Sequence, residues 1–145
     1  MKQAPIFLAA DHAGYALKEK IKHKFLKLGL QVKDLSPKFK PGDDYPAHGF
    51  NLAKAIVKNK DAKGIAICGS SIGISMAANR IKGARAFSTT DEKTIKLARE
   101  HNDANIMTLS GWRTSTKSAI KLIDVFLKTK FSGAERHKRR IKQLG

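Results

Sequence analysis

The chain has 145 residues, 41% of them hydrophobic, which suits one domain with a single substantial core and leaves no need for a second. A lone cysteine excludes an intrachain disulfide framework, and no apolar run approaches the roughly 20 residues of a membrane span or precedes a cleavage site, so a soluble, cytoplasmic protein is expected. With 29 Lys and Arg against 12 Asp and Glu, the formal charge of +17 points to anionic partners, either nucleic acid or a small phosphorylated metabolite.

PIFLAA (Pro5 to Ala10) is a short apolar run that predicts a first strand, ending at Asp11. Leu17, Ile21, Phe25 and Leu28 then recur at helical spacing until Gly29 stops the helix. Lys18, Lys20, Lys22, Lys24 and Lys27 read as its solvated face. QVKDL (Gln31 to Leu35) predicts a second strand, followed by a loop whose prolines and Gly42 forbid regular structure. A helix is expected from about Ala47 to Lys58, with Leu52 and Ile56 inward.

GIAIC (Gly64 to Cys68) is continuously apolar, as a central parallel strand should be, and its helix is expected after Gly73. ARAFST (Ala84 to Thr89) predicts a fourth strand, and Asp91 the cap of a helix containing Ile95, Leu97 and Ala98. IMTL (Ile106 to Leu109) predicts a fifth, followed by a helix from Thr114 to Leu127 with Ile120, Ile123 and Leu127 on one face. A basic helix over Ser132 to Leu144 closes the chain. Alternating strands and helices require right-handed crossovers, so the expected fold is a Rossmann-like, doubly wound, five-stranded parallel sheet in three layers.

Ligands of such sheets bind beyond the carboxyl ends of the strands, which here carry Asp11 and His12, then Cys68 to Gly73, then the SGWR turn. CGSSIG (Cys68 to Gly73) sets backbone N–H groups and two hydroxyls at a helix N-terminus, either an anion cradle or a plain strand-to-helix turn. It matches neither the Walker loop nor the dinucleotide fingerprint. The same helix terminus favours a thiolate at Cys68. DHAG (Asp11 to Gly14) offers an acid beside an imidazole, or only a helix cap. His101, near a helix end, is either a dipole partner or a general acid. Arg136 and Arg140, four apart, present two guanidinium forks suited to a phosphate, or belong to a solvated basic tail. His23 and His48 read as surface or packing residues, and no histidine spacing suggests a metal site.

DHAG, DYP (Asp44 to Pro46), ICGSSIGIS, HND (His101 to Asp103) and RHxxR (Arg136 to Arg140) occur in the order seen in type B ribose-5-phosphate isomerases, and the chain resembles that family from Asp11 to Arg140. The wider family includes galactose-6-phosphate and allose-6-phosphate isomerases. The resemblance implies a Rossmann-like subunit, a homodimer or dimer of dimers with sites composed across two subunits, and no metal or nucleotide cofactor. It also implies roles: His101 and Asp11 for ring opening, Cys68 as the base that moves the carbon-bound proton, and Ser70 as a relay between substrate oxygens. Asn102 and the N–H groups from Gly69 through Ser71 to Gly73 would hold the oxyanion. His12, Arg113, Arg136 and Arg140 would hold the phosphate, and Tyr45 would line the sugar pocket.

The family's usual loop reads CGTG. Here Ser70 keeps the threonine's hydroxyl, whereas Ser71 stands where the second glycine belongs and is expected to push a side chain toward the ligand. The family's glutamate-based branch uses another position, and Cys68 favours the thiol branch. Two other readings stay open: a six-carbon sugar phosphate as substrate, and nucleic-acid binding through the positive charge, which the scarcity of aromatics among the basic runs disfavours.

Overall fold

The computed structural model describes residues 4–145. Five parallel strands, β1 (Ile6–Ala10), β2 (Val32–Asp34), β3 (Lys63–Cys68), β4 (Ala86–Ser88) and β5 (Ile106–Ser110), form one sheet in the order β2-β1-β3-β5-β4. Six helices accompany them: α1 (Tyr15–Lys27), α2 (Tyr45–Lys58), α3 (Ile72–Ala78), α4 (Glu92–Asn102), α5 (Thr116–Lys128) and α6 (Glu135–Leu144). Among the described residues, no helix is long and apolar enough to cross a membrane.

The period-two pleat divides the core in two. Ile6, Leu8 and Ala10 of β1, Ile65 and Ile67 of β3, and Met107 and Leu109 of β5 face α1, α4 and α5, where Ile21, Phe25, Ile95, Ile123 and Phe126 meet them. Phe7, Ala9, Ala66, Cys68 and Ile106 face α2 and α3, packing on Leu52, Ile56 and Ile74. Helices on both faces make the sheet doubly wound, and the chain reverses its direction of winding between β1 and β3. A ligand crevice belongs at that point, beyond the strands' carboxyl ends.

Several boundaries differ from expectation for local reasons. The second helix starts at Tyr45, with Pro46 in its first turn, where a missing N–H is harmless. The third begins at Ile72, ahead of Gly73. The fourth strand keeps only three residues, and the side chain of Asn79 bonds both polar groups of Ala86, donating to its carbonyl (2.8 Å) and accepting from its N–H (2.7 Å). The final helix starts at Glu135, because Gly133 takes a positive φ and the Ser132 N–H is tied to the Glu100 carbonyl. As expected, Asp91 caps α4, its carboxylate accepting the Thr94 N–H at 2.8 Å.

Lys18 is the clearest correction to the solvated face read on α1, for its side chain is wholly buried. Its ammonium donates to both carboxylate oxygens of Asp34 (2.9 and 2.8 Å) and to the Ser36 carbonyl (2.6 Å). Burial pushes the Asp34 carboxyl up, but the Lys18 and Lys22 ammonium groups more than offset it, so Asp34 lies below the ordinary carboxylate range. The Ser36 hydroxyl in turn accepts the Ala10 N–H at 2.9 Å, one residue before Asp11.

Candidate active site

Three loops meet at the carboxyl edge. The register that pairs Ala10 with Ile67 and Cys68 with Ser110 brings the loops after β1, β3 and β5 side by side, and the Asp11 N–H donates to the Ile67 carbonyl at 3.2 Å. They pack backbone to backbone. A side chain at Gly14 would strike the Ile67 carbonyl, and one at Gly111 would strike the Ala13 carbonyl, so both positions require glycine. The alternation of the pleat puts Asp11 and Cys68 on the same face of neighbouring strands, both recessed, at 4% and 3% exposure. Rather than capping α1 directly, the Asp11 carboxylate accepts the Gly14 N–H at 3.0 Å and so closes the turn that precedes that helix.

Past Cys68 the chain is pinned to the turn after β5. The Gly69 carbonyl accepts from the Ser110 hydroxyl (2.6 Å) and the Trp112 N–H (3.3 Å), and the Cys68 carbonyl accepts from the Gly111 N–H (2.8 Å). The Trp112 indole lies against Gly69, and the Tyr45 ring lies against Gly73 in the same manner. Exposed Ser70 has its oxygen 3.3 Å from the Ile72 N–H, and the opening turn of α3 leaves amides with no carbonyl four residues back. Hydroxyl, amides and helix terminus together make a loop able to hold an oxyanion.

Ser71 corrects the expectation placed on it. Its φ is +73°, the residue is 7% exposed, and its hydroxyl bonds the hydroxyl of Ser88 at the end of β4 at 2.5 Å. The Thr108 hydroxyl donates to the Ser71 carbonyl at 3.1 Å. Glycine suits this position because of the left-handed backbone, and serine is accommodated by hydrogen bonds that offset a cost of about 1 kcal/mol.

His12, exposed beside Asp11, donates its N–H to the Asp43 carboxylate at 2.6 Å, with Nδ1 3.0 Å from the Asp43 carbonyl. That carbonyl contact raises the imidazole's proton affinity most; slight desolvation opposes it, and the charges of Asp11 and Asp43 add to it. The other oxygen of Asp43 bonds His48 Nε2 at 2.7 Å. Partial burial pushes Asp43 up, but the bonds from His48 and His12 outweigh it and hold the carboxyl below its usual range. His48, from the first turns of α2, therefore braces the loop that carries Asp43, a contact the sequence did not disclose.

Arg113 stands in the turn that pins this loop: its N–H donates at 3.1 Å to the Ser110 hydroxyl that holds Gly69, and it also lines a cleft of about 380 Å³ with Thr90, Glu92, Ser118 and Lys121. His101 and Asn102 end α4, which returns from the carboxyl edge, so they lie at the amino edge of the sheet. The connecting bonds show it: the Asn102 carbonyl accepts from Arg85, the Arg85 N–H reaches the Asn105 side chain, and the Asn105 carbonyl accepts from Gly64 at the start of β3. Cys68 is four residues further along that strand, about 13 Å away in an extended chain. Helix α6 packs there too, with buried His137 stacked on His101 at 4.2 Å between centroids and Arg136 and Arg140 exposed. Burial lowers the proton affinity of His137, and the charges of His101, Arg136 and Arg140 lower it further. One chain thus carries two clusters, Asp11, His12, Tyr45, Cys68 and Ser70 at one edge and His101, Asn102, Arg136 and Arg140 at the other.

Known proteins share this fold from end to end. A probable ribose-5-phosphate isomerase B of Mycoplasma pneumoniae is 41% identical over 97% of this chain and 92% of its own length. The crystal structure of a ribose 5-phosphate isomerase from Thermotoga maritima superposes with a TM-score of 0.91 at 38% identity, covering 97% of both chains. That of ribose-5-phosphate isomerase B from Mycoplasma genitalium, with ribulose 5-phosphate bound, also gives 0.91, at 41% identity over 99% of this chain and 95% of its own. The model describing the ribose/galactose isomerases matches residues 6–144, which takes in both edges of the sheet and the α6 helix, and the chain belongs to that family.

Proposed function

We infer that the chain is an aldose-ketose isomerase that interconverts D-ribose 5-phosphate and D-ribulose 5-phosphate through an enediolate. The observation that carries this reading is the meeting of Asp11, Cys68 and Ser70 at the switch point of the sheet. It occurs in a chain that shares its fold and 41% of its residues with an isomerase seen with ribulose 5-phosphate bound.

The reaction needs an acid and a base to open the sugar ring, a base to carry a proton between C2 and C1, and donors for the charge that forms between them. Asp11 takes the C1 hydroxyl proton while His101 protonates the ring oxygen. The Cys68 thiolate removes the C2 proton and returns it to C1, so the thiol acts as a base and forms no bond to carbon. Ser70 passes a proton between the two substrate oxygens as the enediolate forms and collapses. Asn102 and the amides of the Gly69 to Gly73 loop hold the oxyanion, each donor being worth about 3 kcal/mol in the transition state. His12, Arg113, Arg136 and Arg140 take the phosphate, and Tyr45 walls the sugar.

His101, Asn102, Arg136 and Arg140 cannot reach Cys68 of their own chain, which supports a site completed by a second copy related by a two-fold axis. Two experiments bear on these readings. Proton NMR of ribose 5-phosphate with the purified protein in heavy water should show ribulose 5-phosphate accumulating; a folded protein that converts only allose or galactose 6-phosphate would overturn the pentose assignment. Mixing inactive Cys68→Ala and His101→Asn chains should restore about a quarter of the wild-type sites, because half the dimers are mixed and each holds one intact site. A mixture as inactive as its components, with exchange verified, would mean that the site lies within one chain.

A further inference from the structure

The loop between β2 and α2 is bonded to the site at two points, and the second has no role in the scheme above. At the first, the Ser36 hydroxyl accepts the Ala10 N–H while the Lys18 ammonium holds the Ser36 carbonyl. At the second, Asp43 engages His12 twice, through its carboxylate to the N–H at 2.6 Å and through its carbonyl to Nδ1 at 3.0 Å. A carbonyl oxygen only accepts, so Nδ1 must carry the proton, and the ring presents Nε2 outward. The side chain of His12 is 43% exposed, that of Asp43 only 12%. His48, from the first turns of α2, takes the far oxygen of Asp43 at 2.7 Å.

We propose that Asp43 is a positioning residue that fixes the tautomer and ring plane of His12 so that Nε2 meets the substrate phosphate, with His48 holding Asp43 in place from α2. This deepens the reading of His12 as a phosphate ligand and rests on it. A carboxylate so near an anion site would repel the phosphate if it faced it. Here both oxygens are engaged, one by a backbone N–H and one by an imidazole, so its charge is directed into the loop and acts through His12. The charged or titratable groups around His12 are Asp11, Asp43 and, through Asp43, His48. Both carboxylates favour the imidazolium, which adds a second donor without disturbing the one that faces Asp43.

The test compares wild type with Asp43→Ala, Asp43→Asn and His48→Phe, each also in a His12→Ala background. Asp43→Ala should raise KM for ribose 5-phosphate about 10-fold with kcat changed less than about twofold, Asp43→Asn somewhat less, and His48→Phe about threefold. None should raise KM further once His12 is alanine. Long-range proton–nitrogen NMR of the imidazoles should show His12 protonated at Nδ1 in wild type and mixed in Asp43→Ala. Inorganic phosphate should shift the His12 resonances in wild type at far lower concentration than in the variant. An unchanged tautomer and KM, a loss confined to kcat, or an equal rise in KM without His12 would each overturn the proposal. Should Asp43→Ala fold poorly, Asp43→Asn, which keeps the side chain's shape, decides the matter. The tautomer and phosphate measurements need no turnover, so a chain inactive on pentose phosphate yet showing them would sink the isomerase reading and leave the role of Asp43 standing.

Discussion

The two edges of this sheet use similar residues for opposite ends. At the amino edge, where helices finish, guanidinium groups are tied to main-chain oxygens: Arg99 donates to the carbonyls of Thr129 and Ala104 and to the Asp103 carboxylate, and Arg85 donates to the carbonyls of Gly83, Asn102 and Asp103. At the carboxyl edge, where helices begin, loop carbonyls are satisfied by neighbouring loops, and amides, a hydroxyl and an imidazole are left facing outward. Helix polarity explains the contrast, since carbonyl ends attract cations and amide ends attract anions. The lesson is that cationic side chains at the amino edge are available to a ligand only if they are free of the helix ends, as exposed Arg136 and Arg140 are and Arg99 is not.

The strongest way to sharpen that comparison is at Cys68. Cys68→Ala should lower kcat by about 10³-fold or more while the midpoint of urea unfolding moves little, for a small buried side chain is replaced by one only slightly smaller. His101→Asn tests whether the comparison breaks: at the amino edge, yet read as part of the chemistry, it should lose about 10²-fold in kcat with little loss of stability. Arg99→Met should do the reverse. It strands the Thr129 and Ala104 carbonyls and leaves Asp103 to Arg85 alone, and denaturant titration should show a loss of about 2 kcal/mol.

A smaller effect follows from Asp34. Its folded-state value lies below the ordinary one, so the stability it contributes is present above the usual carboxylate range and disappears as the pH falls through the folded value. Unfolding titrations from neutral to acid pH should therefore show a steeper loss in wild type than in Asp34→Asn. The least effect belongs to Ser71→Gly, which relieves a positive φ but gives up the bond to Ser88, and should shift stability by less than about 1 kcal/mol with KM unchanged. A large drop in KM would instead restore the idea that the serine obstructs the ligand.

Much of this was legible in the residues. The continuous apolar run of GIAIC, the period of Leu17, Ile21 and Phe25, and the Asp91 cap each correspond to the element they announce, because local pattern and tertiary burial agree there. Lys18 reads as solvated because lysine is seldom buried, yet it stands three and seven residues before Ile21 and Phe25, on the apolar stripe itself. Its partner Asp34 comes from strand β2, and no local pattern announces such a pairing. Trp112, for which the sequence suggests no role, rests on Gly69, since a turn's residue list does not reveal which side chain folds inward. The division of the site was implicit in the alternation: a helix that follows a parallel strand must return to the amino edge, and His101 ends such a helix.

Trp112 is the chain's single tryptophan, it is 71% exposed, and its ring rests on the glycine after Cys68. The molecule therefore carries its own optical gauge at the mouth of the crevice. A wet indole emits at long wavelength and is open to collisional quenchers, so a sugar phosphate settling on the loop, or a second chain closing over it, would register as a blue shift and a loss of quenching. Substrate titration at fixed protein and dilution at fixed substrate separate those two events without a label.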